Sequence, residues 1–321
     1  MDLTWLTISF YACLLTIIGY YLPNMQDKSH ARAIAWVIAV STVLFSTAVT
    51  WHYGALARML VIVFLQLLSM KIIVSVESYS GNNKLTITQW CAFSLGWFGM
   101  RPTLFEKFPS RSLPFVDLFI KGLSRIAIGY ILLYASFFLE QKLRIAFFLP
   151  QLLLLVGVSF MLHFGVLNIS TAGWRNLGVD VSELFRSPYK PRSLKEFWGR
   201  RWNLAFSEMT ALIAYKPLKD KVGVTYAVTI SFLFSGLLHE IAISLPVNAG
   251  YGLPMIYFII HAVAMQLESK SAIVQKIVNH RIFAHAWVMT ILIIPMPLLF
   301  HTAFMERVMI PLRDIMLGPL I

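Results

Sequence analysis

Charge is what this sequence has least of. Only 13% of its 321 residues are Asp, Glu, Lys or Arg, against about 25% in an ordinary soluble domain. Cysteine is nearly absent as well. Cys13 and Cys91 are two lone thiols with no CxxC pair, which leaves neither a disulfide framework nor a cysteine zinc site. Acidic residues number 15, too few for the Asp-rich magnesium motifs of a polyprenyl transferase. The eight histidines are scattered, without HxxxH or HxxHH clusters. His239-Glu240 opens an HExxH pattern, but position 243 is Ile, so no metal site is expected. The GxSxG nucleophile elbow is missing too. No internal repeat, paired intramembrane charges or matched broken helices are visible, as a transporter would require.

What is there instead is apolar. The hydrophobic share is 58%, and several windows approach the roughly 20 residues that span a bilayer as a helix. Eight are read: Leu3–Leu22, Ala33–Trp51, Ala55–Val76, Gly122–Leu139, Ala146–Leu167, Gly223–Leu245, Leu253–Leu267 and His285–Phe304. The pattern predicts an all-α integral membrane protein of about eight transmembrane helices, forming one domain over residues 1–321. The first window lacks a basic start and a small-residue cleavage site, so it reads as a retained helix rather than a signal peptide.

Basic residues orient these spans. Twenty Lys and Arg fall in the loops after the first, third, fifth and seventh windows, and five on the opposite side. Lys71 and Arg125 lie inside spans, and Arg58, in the first turn of the third window, is counted with the opposite side. Positive loops stay cytoplasmic, so both termini should face away from the cytoplasm of a bacterial inner membrane or endoplasmic reticulum. The net charge of +12 then reflects topology and anionic headgroups rather than nucleic acid.

Two of the basic loops are too long to be mere connectors. Residues 77–121 contain Thr88–Met100, an apolar stretch too short to span, which reads as interfacial or re-entrant. Residues 168–222 hold ten basic residues and three tryptophans, and loops of this length are usually functional or disordered. The tryptophans and a helical pattern argue against disorder. Asn168-Ile-Ser170 matches a glycosylation pattern but would sit at the cytoplasmic edge of a helix.

The second loop carries LKEFWGRRWN, Leu194 to Asn203. Ser193 followed by Glu196 is a capping-box signature and predicts a helix start. From there Leu194, Trp198, Trp202, Ala205 and Met209 make one apolar stripe at three- and four-residue spacing. Arg200, Arg201 and Asn203 project from other faces. Tryptophan with arginine is what an interfacial lipid anchor uses, so an anchor is one reading. Asn203 favours the other, a polar site.

A second landmark is FLFSGLLHEIAIS, Phe232 to Ser244, in which His239 and Glu240 sit inside a hydrophobic span. Counted from Gly223, His239 lies about 24 Å along a helix, past the midplane. Ionisable groups at such depth face a cavity or a partner. Gly236, one turn earlier, leaves room for something to approach the backbone. A neutral imidazole can take a proton from an alcohol, and an asparagine amide can hold a carbonyl or oxyanion. The pair suits acyl transfer from an activated ester to a hydroxyl. For His163, His261 and His301, structural interhelical hydrogen bonds are the expectation.

FRSPYKPRSLKEFWGRRWN (Phe185–Asn203) followed by FLFSGLLHE (Phe232–Glu240) resembles the membrane-bound O-acyltransferase superfamily, in its wax synthase-like branch. That branch includes plant long-chain-alcohol and sterol acyltransferases, in which a Ser-Leu-x-x-Phe-Trp-Gly-Arg-Arg-Trp-Asn block precedes a Ser-Gly-x-x-His-Glu block. GMRP (Gly99–Pro102) and YFIIHAVAMQLE (Tyr257–Glu268) are weaker landmarks, so the motif-bearing part runs over 99–268. A glycine common after the histidine of the last block is Ala262 here. The resemblance implies helices around a central tunnel, His239 as base and Asn203 as helper. It implies acyl-CoA as co-substrate, with no permanently bound cofactor, and a lipophilic alcohol arriving from the bilayer. Lys195, Trp198, Arg200, Arg201, Trp202 and Glu240 are then candidates for substrate contacts, with the two arginines and Lys195 suited to CoA phosphates. Simple topology leaves a conflict, since Asn203 falls in a cytoplasmic loop and His239 beyond the midplane. The Trp–Arg segment must dip inward, or the sixth helix must begin later.

Overall fold

The computed structural model describes residues 3–79, 81–142 and 148–318. Their regular structure is helical, and the chain forms two compact units, one of Met1–Glu106 with Ser187–His301 and one of Lys107–Arg186 with Thr302–Ile321. In chain order the first unit opens with α1 (Leu3–Tyr21), α2 (Lys28–Thr50), α3 (Ala55–Tyr79) and α4 (Ile87–Gly96). Asp27 starts α2 by accepting from the Ser29 and His30 amides, at 2.8 and 3.1 Å, which places that helix start five residues before the expected Ala33. Thr86 and Gln89 form a capping box at α4, the short apolar stretch expected to be interfacial.

Lys71 explains how α4 is held. It is fully buried in α3, and its ammonium donates to the carbonyls of Phe93 (2.6 Å), Trp97 and Gly99 (3.3 Å). Those are the orphan acceptors at the end of α4 and in the GMRP turn, so the buried cation is satisfied by a helix C-terminus. Arg101 of the same turn pairs with Glu208 at 2.9 Å.

The second unit contains α5 (Val116–Gln141) and α6 (Phe148–Val158), which continues through a π-helical stretch, Ser159–Val166, into α7 (Leu167–Asn176). Ala146, the expected start of that span, lies outside the described residues. Asn168 is buried, and its Nδ2 donates to Glu183 at 3.0 Å, so the glycosylation pattern points inward. Arg313 is buried with ion pairs to Glu140 and Asp314.

The first unit resumes with α8 (Leu194–Glu196), α9 (Leu204–Thr210), α10 (Lys216–His239), α11 (Leu245–Val247), α12 (Leu253–Lys270), α13 (Ala272–Asn279) and α14 (Arg281–Ile293). Among the described residues seven helical stretches are long and apolar enough to cross a membrane, consistent with an all-α integral membrane protein and one fewer than the eight windows expected. The window expected at Leu253–Leu267 is the 18-residue α12, whose last turns carry Gln266, Glu268 and Lys270. Its polar end belongs to the cavity described next.

Candidate active site

Construction begins at Ser193, whose Oγ accepts from the Glu196 amide at 3.0 Å and starts α8. Glu268, at the far end of α12, reaches the same turn. Its carboxylate accepts from the Leu194 amide (2.8 and 3.0 Å) and from the Trp287 indole (3.0 Å). After three residues the helix widens into a π turn, Phe197–Arg201, closed by the Trp202 amide donating to the Phe197 carbonyl at 2.9 Å. Arg201 folds back on Glu196, with Nε and Nη2 donating to Oε1 at 2.8 and 2.6 Å, and Nη1 on the Ser187 carbonyl at 3.2 Å. Burial pushes the Glu196 carboxyl up, but the Arg192 amide and the Arg201 guanidinium outweigh it, and the carboxyl sits below its usual range.

Here the expected continuous stripe fails. Trp202 is extended (φ −109°, ψ 125°) and Asn203 is left-handed (φ 42°, ψ 64°). Asparagine tolerates that region better than most residues, and its Oδ1 accepts from the Phe206 amide at 3.2 Å to cap α9. Leu194, Trp198 and Trp202 therefore do not share one helical face with Ala205 and Met209. Nδ2 of Asn203 has no acceptor among the described residues and is available as a donor.

The stretch Leu204–Val247 holds 44 residues, and a straight helix of that length would run about 66 Å, twice a hydrocarbon core. It does not run straight. Gly223 has φ 83° and ψ 160°, a region essentially reserved for glycine, and the chain turns back there. The turn brings the Phe206 and His239 rings to 5.9 Å, although 33 residues separate them. That contact resolves the topological conflict, because Asn203 caps the turn that Phe206 begins.

His239 closes the arrangement. Its Nδ1 lies 2.7 Å from the Ser235 carbonyl, which fixes the proton of the neutral ring on Nδ1 and leaves the Nε2 lone pair unused among the described residues. The ring packs on Phe258 of α12 at 4.4 Å. A side chain at Gly236 would meet Met255 Sδ at 2.7 Å, so the glycine lets α12 approach. Glu240 does not reach either arginine. Its Oε1 accepts from the Gly252 and Met255 amides, both at 3.0 Å, and caps α12. His261 is buried on α12 and bonds within its own helix, Nδ1 to the Tyr257 carbonyl at 2.8 Å, rather than between helices.

These elements enclose a cavity of about 650 Å³, within the range of small-molecule sites. Asn203, His239, Trp198, Trp202 and Lys195 line it; Arg200, Arg201 and Glu240 do not. Arg200 is exposed and forms no ion pair among the described residues. Trp198 sits among Phe197, Phe232, Phe258 and His261, and its indole N–H is buried without an acceptor in the described structure. Sequence reasoning missed Phe206, Ser235 and Glu268 on the wall. Ser235 stands one helical turn before His239, a spacing that was readable; Phe206 and Glu268 arrive only through the fold. Among the described residues no three His, Cys, Asp or Glu side chains gather closely enough to hold a metal ion.

Residues 181–260, which hold Asn203, His239 and most of the cavity wall, match the model of the membrane bound O-acyl transferase family. Over that quarter of its length the chain is similar to the family. Among curated proteins it is similar to the long-chain-alcohol O-fatty-acyltransferase of Simmondsia chinensis, 31% identical over 115 residues, 33% of this chain and 32% of that protein. It is 38% identical over 71 residues to the probable long-chain-alcohol O-fatty-acyltransferase 6 of Arabidopsis thaliana, 20% of each chain. The acyl-CoA–sterol O-acyltransferase 1 of the same plant is 29% identical over 104 residues, 29% of this chain and 30% of that one. The aligned stretches thus span at most about a third of these relatives' length.

Proposed function

We propose that this protein is a membrane-bound O-acyltransferase that moves an acyl group from acyl-CoA to the hydroxyl of a lipophilic alcohol. The observation that carries the reading is the sharing of one largely apolar cavity by His239 and Asn203. In the reaction the alcohol O–H lies against His239 Nε2, and its oxygen attacks the thioester carbonyl as the proton passes to the imidazole. Asn203 Nδ2 donates to the carbonyl oxygen as charge develops there. Collapse of the tetrahedral intermediate breaks the C–S bond, and the imidazolium of His239 passes its proton to the leaving sulfur, so CoA departs as the thiol and the ring is neutral again. No acyl-enzyme forms and no proton is gained or lost overall. Lys195, at the polar end of the cavity with Ser193 and Ser269, meets the anionic donor, while Phe206, Phe232 and Phe258 hold apolar chains. Names of the relatives support the substrate classes, a long-chain alcohol or sterol and a fatty acyl group.

The test is ester formation by the purified protein, offered labelled acetyl-, lauroyl- and palmitoyl-CoA with a panel of lipid alcohols. Ester made by the parent and abolished in His239→Ala is the expected result. Ester made equally by His239→Ala would overturn the mechanism.

A further inference from the structure

Helix α13 and the first turn of α14 are the least expected surface of the first unit. Residues 269–285 carry Lys270, Lys276 and Arg281 and contain no Asp or Glu. The helix has two apolar rows. Val274 is buried and Val278 lines the cavity, one turn apart on the inner face. Ile273 and Ile277 form the second row and are left exposed at 74% and 37%, followed by Ile282 at 70% and Phe283 at 59%. Lys270, Lys276 and Arg281 are exposed beside them. An exposed apolar row flanked by cations, with the nearest carboxylate in sequence, Glu268, turned onto the Leu194 amide, is how a helix lies in the plane of a bilayer surface.

We infer that α13 docks on anionic phospholipid headgroups and forms one lip of the cavity. Ile273, Ile277, Ile282 and Phe283 enter the acyl boundary, while Lys270, Lys276 and Arg281 contact lipid phosphates. Because Val278 and the neighbouring Ser269 line the cavity, lipid held by the outer row of this short helix sets the position of the inner row. Charge complementarity selects the occupant. A zwitterionic surface satisfies the apolar row but not the three cations, and each basic side chain near an anionic surface contributes about fivefold in affinity.

The experiment reads binding without turnover, so its failure is separate from failure of the acyl-transfer reading. In a Cys13→Ser, Cys91→Ser background, Ile273→Cys and Gln275→Cys are each labelled with an environment-sensitive fluorophore. Both proteins are placed in nanodiscs of zwitterionic lipid or of lipid with an anionic fraction, with bromine-bearing acyl chains as quencher. Strong quenching at position 273 and weak quenching at 275 is expected. Quenching at 273 should rise with the anionic fraction and fall with salt. Lys270→Glu with Lys276→Glu should remove that lipid dependence while leaving helix content unchanged. Equal quenching at both positions, or indifference to the anionic fraction, overturns the inference. So does a label at 273 that is shielded in native membranes yet unquenched in nanodiscs, which would mean that a protein partner covers this face.

Discussion

Asn203 has an observed structural duty and a proposed chemical one, which one substitution cannot separate and three can. It holds a left-handed backbone position, φ 42°, and its Oδ1 caps α9 at the Phe206 amide. Under the proposed mechanism its Nδ2 also donates to the reacting carbonyl. Asn203→Ala loses everything: the left-handed conformation costs roughly 1–2 kcal/mol for an ordinary residue, and the missing cap about 1 kcal/mol more. Inactivity of that variant would therefore prove little. Asn203→Asp keeps the cap and the tolerance of positive φ but replaces the donor with an oxygen. Asn203→Gly keeps the backbone freely, gives up only a few tenths of a kcal/mol as a cap, and removes the donor without adding charge. Loss of one oxyanion donor lowers turnover about 100- to 1,000-fold, or about 3–4 kcal/mol in the barrier. The expected pattern is near-parent thermal midpoints for Asp and Gly, with ester formation down at least about 100-fold in both. Turnover within a few-fold of parent in either stable variant would reduce Asn203 to a structural cap and refute the oxyanion role.

Four further outcomes follow from the same geometry. Gly223→Ala forces a side chain into a backbone region held almost only by glycine, costing about 1–3 kcal/mol, and should lower the melting midpoint and ester formation together because the fold-back builds the cavity. Arg201→Ala breaks the fork onto Glu196 and should cost about 1 kcal/mol in a denaturation assay, whereas the exposed Arg200→Ala should stay within about 0.5 kcal/mol of parent. Gly236→Val should lower stability by about 1–3 kcal/mol, since the added carbons meet Met255. Burial raises the Glu268 carboxyl above its usual range despite the Leu194 amide and Trp287 indole that favour the ionised form. Its contribution is therefore complete below the unfolded carboxyl value and is lost as pH rises through the higher folded value. Glu268→Gln should flatten that decline when melting is followed from acid to neutral pH.

The legible part of this protein was its membrane class and the polar residues that line its cavity; the hidden part was its path through space. A low charge content and long apolar windows gave the membrane class, and Asn203 and His239 stood out because each is polar where the surrounding pattern is greasy. Their meeting could not be read, for a physical reason that recurs along the chain. Periodicity assumes 3.6 residues per turn, and the cavity is built where that assumption fails: π turns at Phe197–Arg201, Ala211–Tyr215 and Glu240–Ser244, a left-handed Asn203 and a non-helical Gly223. Each π turn inserts one residue and rotates every later side chain around the axis, so a stripe drawn from Leu194 to Met209 loses its face midway. Arg201, a candidate for the anionic donor by residue type alone, pairs with Glu196 in the fold, a partner five residues back. Glu268 was hidden differently. It lies 74 residues from the Leu194 amide it accepts, and nothing local marks a carboxylate that caps a distant helix. Glu240 makes the same kind of contact at the other end of α12, through the Gly252 and Met255 amides. Two acidic residues in a chain with few thus fix the two ends of the helix whose Phe258 ring packs on His239. In an apolar interior, where packing alone orients helices weakly, carboxylate caps of this kind supply the direction that positions His239.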